Sequence, residues 1–124
     1  LVSAAAISDY TVETAAEKIR SGRESLTLEL TPTPKLIDTV RDDQPDLPIV
    51  GFKAESDDGE ENIVEQARRI RERADLAFVV GNAASVMGDA ETRAAIVDDD
   101  AEWFEGSKAD LGARVAERLA AALE

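Results

Sequence analysis

The sequence predicts a single α/β domain over residues 1–124, in three layers around a mostly parallel sheet. Two observations carry that expectation. Short apolar runs alternate with segments of helical periodicity, the pattern of a sheet whose strands are joined by helices. One of those runs, Leu76–Val80, is apolar at every position rather than at alternate ones, as in a strand buried on both faces.

Taken in order, Val2–Ile7 reads as the end of a strand. Lys18-Ile19-Arg20, the turn signal Ser21-Gly22 and the alternating Leu26-Thr27-Leu28-Glu29-Leu30 predict a protruding β-hairpin with three leucines on one face. Thr33 is expected to cap a helix with Pro34 at its first position, and Leu36, Ile37 and Val40 give that helix a buried side. Pro48–Phe52 follows as a short strand. A helix entered through the acidic turn Ser56–Glu60 runs to Ala74. Its residues Ile63, Ala67, Ile70 and Ala74 recur at i, i+4, i+7 and i+11, with arginines on the outer face. Leu76–Val80, closed by Gly81-Asn82, is the expected central strand, and Arg93–Val97 a further one. Ser107 is expected to cap the last helix, whose face is Leu111, Val115, Leu119 and Leu123, with Asp110 in its first turn.

Composition removes several chemistries. There is no cysteine and no histidine in the 124 residues. That excludes thiol catalysis, disulfides, Ser-His triads and His- or Cys-ligated zinc. Any reaction must use carboxylates, lysine, arginine, hydroxyls, amides or backbone N–H groups. The formal charge is −13, from 27 acidic and 14 basic residues, of which only four are lysine. Such a surface repels nucleic acid and anionic membranes, so neither is an expected partner. Carboxylates scattered over every segment read as adaptation to high salt, the signature of a halophilic source, rather than as a binding patch for a cation. No apolar run approaches a membrane span and no signal peptide is visible, so a cytoplasmic place of action is expected.

In a parallel sheet ligands bind at the carboxyl ends of the strands. Three such ends carry suggestive residues: Ala5–Asp9, Gly51–Glu55 and Gly81-Asn82. The chain has no G-x-G-x-x-G or Walker loop, so a phosphate chain bound here is expected to need residues from outside it.

Read together, SAAAISDY, EKIR, LTLELTPTPKLI, IVGFKAE, VVGN and GSK follow the order of motifs in phosphopantothenoylcysteine synthetase, and the chain resembles that family over almost its whole length. The family pattern is A-A-V-A-D plus an aromatic residue, K-I-K, L-x-L with D-I-L, G-F-x-A-E, a D-L-I-x-A-N strand and a late S-K. The resemblance implies a Rossmann-like domain truncated on its N-terminal side, where the family carries a glycine-rich portion. It also implies an upstream flavin-dependent decarboxylase, which would hold FMN. The implied reaction is the joining of 4′-phosphopantothenate to cysteine, driven by CTP or, in eukaryotes, ATP. It uses Mg²⁺ and passes through an acyl-nucleotide, giving phosphopantothenoylcysteine, the nucleoside monophosphate and pyrophosphate.

Residue by residue, the resemblance assigns Ala5, Ala6 and Phe52 to the nucleotide base and Asp9 to the nucleotide's polar edge. Lys18 falls on the first lysine of K-I-K, tied to the acyl-nucleotide and its conversion. Asn82 ends the strand motif, and Lys108 matches the late S-K. It also implies a homodimer, and the hairpin of residues 18–30 is the expected contact, because an isolated ribbon with a leucine face needs a partner. Each assignment has a plainer alternative. The alanines and Phe52 suit a core, Asp9 and Asn82 suit turns, Lys18 suits an exposed edge strand, and Lys108 suits an exposed first turn. Arg68–Arg73 is a solvated helix face from which one arginine could reach a triphosphate. The sequence departs from the family at Arg20, which replaces the second lysine of K-I-K. It departs again at Met87–Thr92, which replaces F-x-S-D-x-N and leaves the ligand role of that segment open. Two other readings fit the chain: a non-catalytic nucleotide- or flavin-binding module, and a dimerisation fragment inactive on its own.

Overall fold

The computed structural model describes residues 1–4, 9–13, 21–22, 25–56, 59–83 and 90–124. In chain order its elements are β1 (Val2–Ser3), β2 (Tyr10–Thr11), β3 (Thr31–Pro32), α1 (Leu36–Asp43), β4 (Val50–Glu55), α2 (Glu60–Ala74), β5 (Phe78–Ala83), β6 (Glu91–Val97), β7 (Ala101–Ser107) and α3 (Lys108–Ala122). Five strands form one sheet in the order β1-β4-β5-β6-β7, and β2 with β3 makes a separate two-stranded ribbon. The pairs β1–β4 and β4–β5 are parallel, whereas β5–β6 and β6–β7 are antiparallel. Four of the five strands therefore run the same way and β6 alone runs against them, which gives the predicted mostly parallel α/β sheet an antiparallel edge.

The pleat separates two cores. Val79, Ala83, Ala95 and Val97 face α2, where Ile63, Ala67 and Ala74 complete a buried cluster with Ile49 and Leu76. Val50, Phe78, Val80, Ala94 and Ile96 face the other way and pack on Leu111 and Val115 of α3. Ile49, Val50, Val79, Val80, Ile96 and Val97 are the largest fully buried side chains, and each contributes about 1.5–3 kcal/mol through removal from water. The helix of β5's neighbour sits very close: a Cβ on Gly81 would lie 2.9 Å from the Ile63 side chain, so only glycine lets α2 approach the central strand this far.

Several expectations are corrected in detail. Leu26, Leu28 and Leu30 lie in no strand and are each more than half exposed. The ribbon that does form pairs Tyr10 with Pro32 and Thr11 with Thr31, because the chain continues extended past the leucines to meet the segment after β1. Residues 18–20, expected in the hairpin, lie outside the described residues. The helix α1 begins after Lys35, with no side-chain cap, rather than at Thr33-Pro34. Thr33 instead donates its N–H to the Asp9 carbonyl at 2.9 Å, which ties it to the ribbon. Leu36 is exposed while Ile37 and Val40 are partly buried, and Leu123 is exposed at the cap that follows the last turn of α3. The strand β7 had no counterpart in the sequence reading.

Candidate functional site

The carboxyl ends of β1, β4 and β5 point to one edge of the domain. Because β6 reverses and β7 reverses again, Ser107 at the end of β7 pairs with Glu91 at the start of β6, on that same edge. The helix α3 therefore starts there. Ser107 is extended, and its hydroxyl accepts from the Asp110 N–H at 3.0 Å, the side-chain cap that the sequence predicted. The Lys108 N–H donates to the Ala90 carbonyl at 3.0 Å, anchoring the helix start beside the entry to β6.

Two grooves open at this edge, one on each face of the sheet. The first, about 440 Å³, lies between α3 and the uncovered part of the sheet, and is bordered by Phe52, Asn82, Thr92 and Lys108 above apolar walls from Val80 and Leu111. The helix α3 covers β6 and β7 but leaves Val2 and Phe52 partly open, and Phe52 is 38% exposed. The second groove, about 400 Å³, lies on the α1–α2 face and is polar, with Asp9, Lys35, Lys53, Gln66 and Arg73 on its walls. Phe52 borders both grooves and so separates an apolar site from a charged one.

The charge of the second groove is unusual for this chain. Lys35, Lys53 and Arg73 gather there in a protein whose net charge is −13. Lys53 Nζ lies 3.2 Å from Glu55, and Arg73 pairs with Asp38 at 2.8 Å across α1 and α2. Arg69 and Arg71 are occupied by Glu65 and Asp99. Of the arginines on α2, Arg73 lines this groove, from the last turn of the helix, and Arg68 lines a separate hollow beside Trp103.

The structure brings together Phe52, Asn82 and Lys108 on the α3 side and places Asp9 across the sheet with Phe52. Ala5, Ala6 and Lys18 lie outside the described residues. Thr92 is a groove residue that the sequence reading did not single out. Among the described residues no group of three or more Asp or Glu side chains is arranged to hold a metal ion. A Mg²⁺ cage made wholly of protein is therefore not built there, whereas one borne on phosphates needs only one or two carboxylates and waters. Asp9 is the carboxylate that lines the polar groove. No helix among the described residues is long and apolar enough to cross a membrane.

A family described as the DNA/pantothenate metabolism flavoprotein C-terminal domain matches residues 1–123. The chain belongs to this family. Among curated relatives, the coenzyme A biosynthesis bifunctional protein CoaBC of Thermococcus kodakarensis is 45% identical over 101 residues, covering 81% of this chain and 25% of the relative. The protein of the same name from Methanocaldococcus jannaschii is 32% identical over 122 residues, covering 96% of this chain and 30% of the relative. The chain thus spans between a quarter and a third of the length of the curated relatives it matches.

Solved structures agree on the fold of this flavoprotein-family domain. The DNA/pantothenate metabolism flavoprotein from Streptococcus pneumoniae superposes with a TM-score of 0.74 at 25% identity, over 85% of this chain and 46% of that one. A mutant protein solved in complex with phosphopantothenate-cysteine matches with a TM-score of 0.67 at 22% identity, over 98% of this chain and 45% of that one. The Rossmann-like α/β architecture stands on these structures, and the family resemblance drawn from the motifs stands on the family match and the curated relatives.

Proposed function

We propose that this chain is part of the ligase of coenzyme A biosynthesis that joins 4′-phosphopantothenate to cysteine at the expense of CTP. The observation that carries the reading is the convergence of Phe52, Asn82 and Lys108 at the ligand-binding end of the sheet, with a cation-lined groove directly across Phe52. The names of the two CoaBC relatives and the ligand of the phosphopantothenate-cysteine complex support the choice of pathway and substrates.

In this reading a carboxylate oxygen of phosphopantothenate attacks the α-phosphorus of CTP, and the bond to pyrophosphate breaks. The cysteine amine nitrogen then attacks the acyl carbon and loses a proton as the bond to CMP breaks. Both steps place negative charge on oxygens held close together, so fixed cations accelerate them. Lys18 is the proposed catalytic cation at the acyl-nucleotide. Lys35, Lys53 and Arg73 line the groove suited to phosphate or carboxylate groups, and Asp9 is the side chain fitted to share a phosphate-borne Mg²⁺, which supplies further charge neutralisation when bound. Ala5, Ala6 and Phe52 shape the base site, with Asn82 and Lys108 as polar contacts. FMN belongs to the decarboxylase portion and takes no part in this step.

The active species is proposed to be a cytoplasmic homodimer. Leu26, Leu28, Leu30 and Tyr10 present apolar surface on and beside the ribbon of β2 and β3, which a second copy would cover.

The test is pyrophosphate release by the complete natural protein, assayed in molar KCl with CTP, Mg²⁺, phosphopantothenate and cysteine. Turnover that needs all three substrates is expected, with Lys18→Ala reducing kcat at least a hundredfold. Turnover surviving that substitution removes Lys18 from catalysis, and absence of cysteine-dependent turnover removes the ligase reading.

A further inference from the structure

Thr92 sits in β6 with its side chain on the α3 face, in line with Ala94 and Ile96. It is only 6% exposed, and among the described residues its hydroxyl oxygen is the one buried side-chain polar atom without a hydrogen-bond partner. A buried hydroxyl without a partner destabilises a fold, and sites that retain one commonly use it. Valine has almost the same shape and suits a β-strand equally well, so packing alone does not call for threonine here.

Thr92 lines the groove bordered by Phe52, Asn82 and Lys108, with its orphan hydroxyl buried in the groove wall. Two neighbouring polar groups bond elsewhere: the Ser107 hydroxyl accepts from the Asp110 N–H, and the Lys108 N–H donates to the Ala90 carbonyl. The groove's walls are apolar, and Asp110 shares the first turn of α3 with the single lysine there. That end suits a flat, weakly charged ring with a polar edge. Phosphates suit the opposite groove, where Lys35, Lys53 and Arg73 collect. Phe52 supplies an aromatic wall, the Asn82 amide offers both a donor and an acceptor, and a threonine hydroxyl offers one donor and two lone pairs.

The geometry points to Thr92 as a base-selecting residue, whose hydroxyl hydrogen-bonds the polar edge of the nucleobase held in the groove between Phe52 and α3. This inference rests on the nucleotide reading of the same site. It adds a residue from the segment where the sequence departs from its family, and it assigns the base and the phosphates to opposite sides of Phe52.

Calorimetric titration of CTP, UTP, ATP and GTP into the complete natural protein tests it, using wild type, Thr92→Val and Thr92→Ser, with the melting temperature of each ligand-free protein. Thr92→Val is expected to weaken CTP binding about tenfold and to narrow the preference for CTP over UTP. Its ligand-free melting temperature should stay level or rise, since an unpaired buried hydroxyl has been removed. Thr92→Ser keeps the hydroxyl and should bind CTP within about threefold of wild type. Wild-type affinity in Thr92→Val overturns the inference while leaving the nucleotide reading intact, and so does a fall in its ligand-free melting temperature, which would reveal a structural partner. Failure of wild type to bind any of the four nucleotides overturns both.

Discussion

Arg41 shows how much one side chain can hold. Its guanidinium donates to the Ala74 carbonyl at 3.1 Å and the Asp75 carbonyl at 2.7 Å. It also donates to the carbonyls of Gln44, Pro45 and Leu47, at 3.2, 2.8 and 2.8 Å. It therefore satisfies the carbonyl end of α2 and the loop after α1 together, and locks Asp75 in its left-handed conformation, φ 52°. Lysine lacks the planar fork and cannot reach five carbonyls in different directions. Arg41→Lys should cost about 2 kcal/mol, the net worth of two or so lost hydrogen bonds, read as a lower midpoint in urea with an unchanged m-value. A loss below about 0.5 kcal/mol would mean that solvent replaces these bonds freely. Arg41 gave no sign of this role in the sequence, where it was one polar residue at a helix end. Phe52, Asn82 and Lys108 could be singled out as candidates because each lies within a recognisable motif, and the fold brings them to one groove. Thr92 could not be, since its meaning depends on which face of β6 it occupies and on what fails to reach it.

At the scale of elements, α2 and α3 were readable because their apolar spacing matches a helix, and because Ser107 and Asp110 mark a start. The strand β7 was hidden: Ala101–Ser107 carries Glu102 and Glu105, and its adjacent aromatics Trp103 and Phe104 face opposite cores, so no alternation shows. The leucines at 26, 28 and 30 misled in the opposite direction, offering perfect alternation where there is no sheet beneath. Paired charges explain how acidic residues are accommodated along β7 and its turn. Arg118 of α3 bridges Asp98 and Glu102, and Arg114 reaches Glu102 at 2.6 Å, so the β6–β7 hairpin is tied to the helix. Partial burial pushes the Asp98 carboxyl up, but the Asp100 N–H and the Arg118 charge outweigh it and hold the group below its usual range. A carboxylate depressed in the folded state stabilises the fold above its unfolded pKa, near 3.9, and loses that contribution as pH falls through the lower folded value. Asp98→Asn should therefore be less stable than wild type at neutral pH, with the gap closing below about pH 4. Urea midpoints across pH check this, and a gap constant with pH would rule out the charge as its cause.

For the whole molecule, the balance of attraction and repulsion decides how salt acts. The ion pairs are mostly exposed, and each such pair is worth about 0–1 kcal/mol. The 13 uncompensated negative charges repel one another across the entire surface. Screening weakens both, but the repulsion is the longer-ranged and its Debye length falls from about 10 Å at 0.1 M to about 3 Å at 1 M salt. The repulsive share should win. The melting temperature is expected to rise by several degrees between 0.1 M and 2 M KCl, and a level or falling profile would remove the reading of the acidity as salt adaptation.

The reversed strand has a consequence best expressed as parity. A single turn-back after β5 would deliver the chain to the amino end of the sheet, and the next helix would start on the wrong side of the molecule. Two turn-backs cancel. The hairpin of β6 and β7 needs only the short link Asp98–Asp100, where a parallel crossover would need a dozen residues or more. An even number of reversals thus returns the chain by the shortest route to the edge it left at Ala83. Any insertion that added one further strand would move Lys108 to the opposite pole of the domain without altering a single residue of the site.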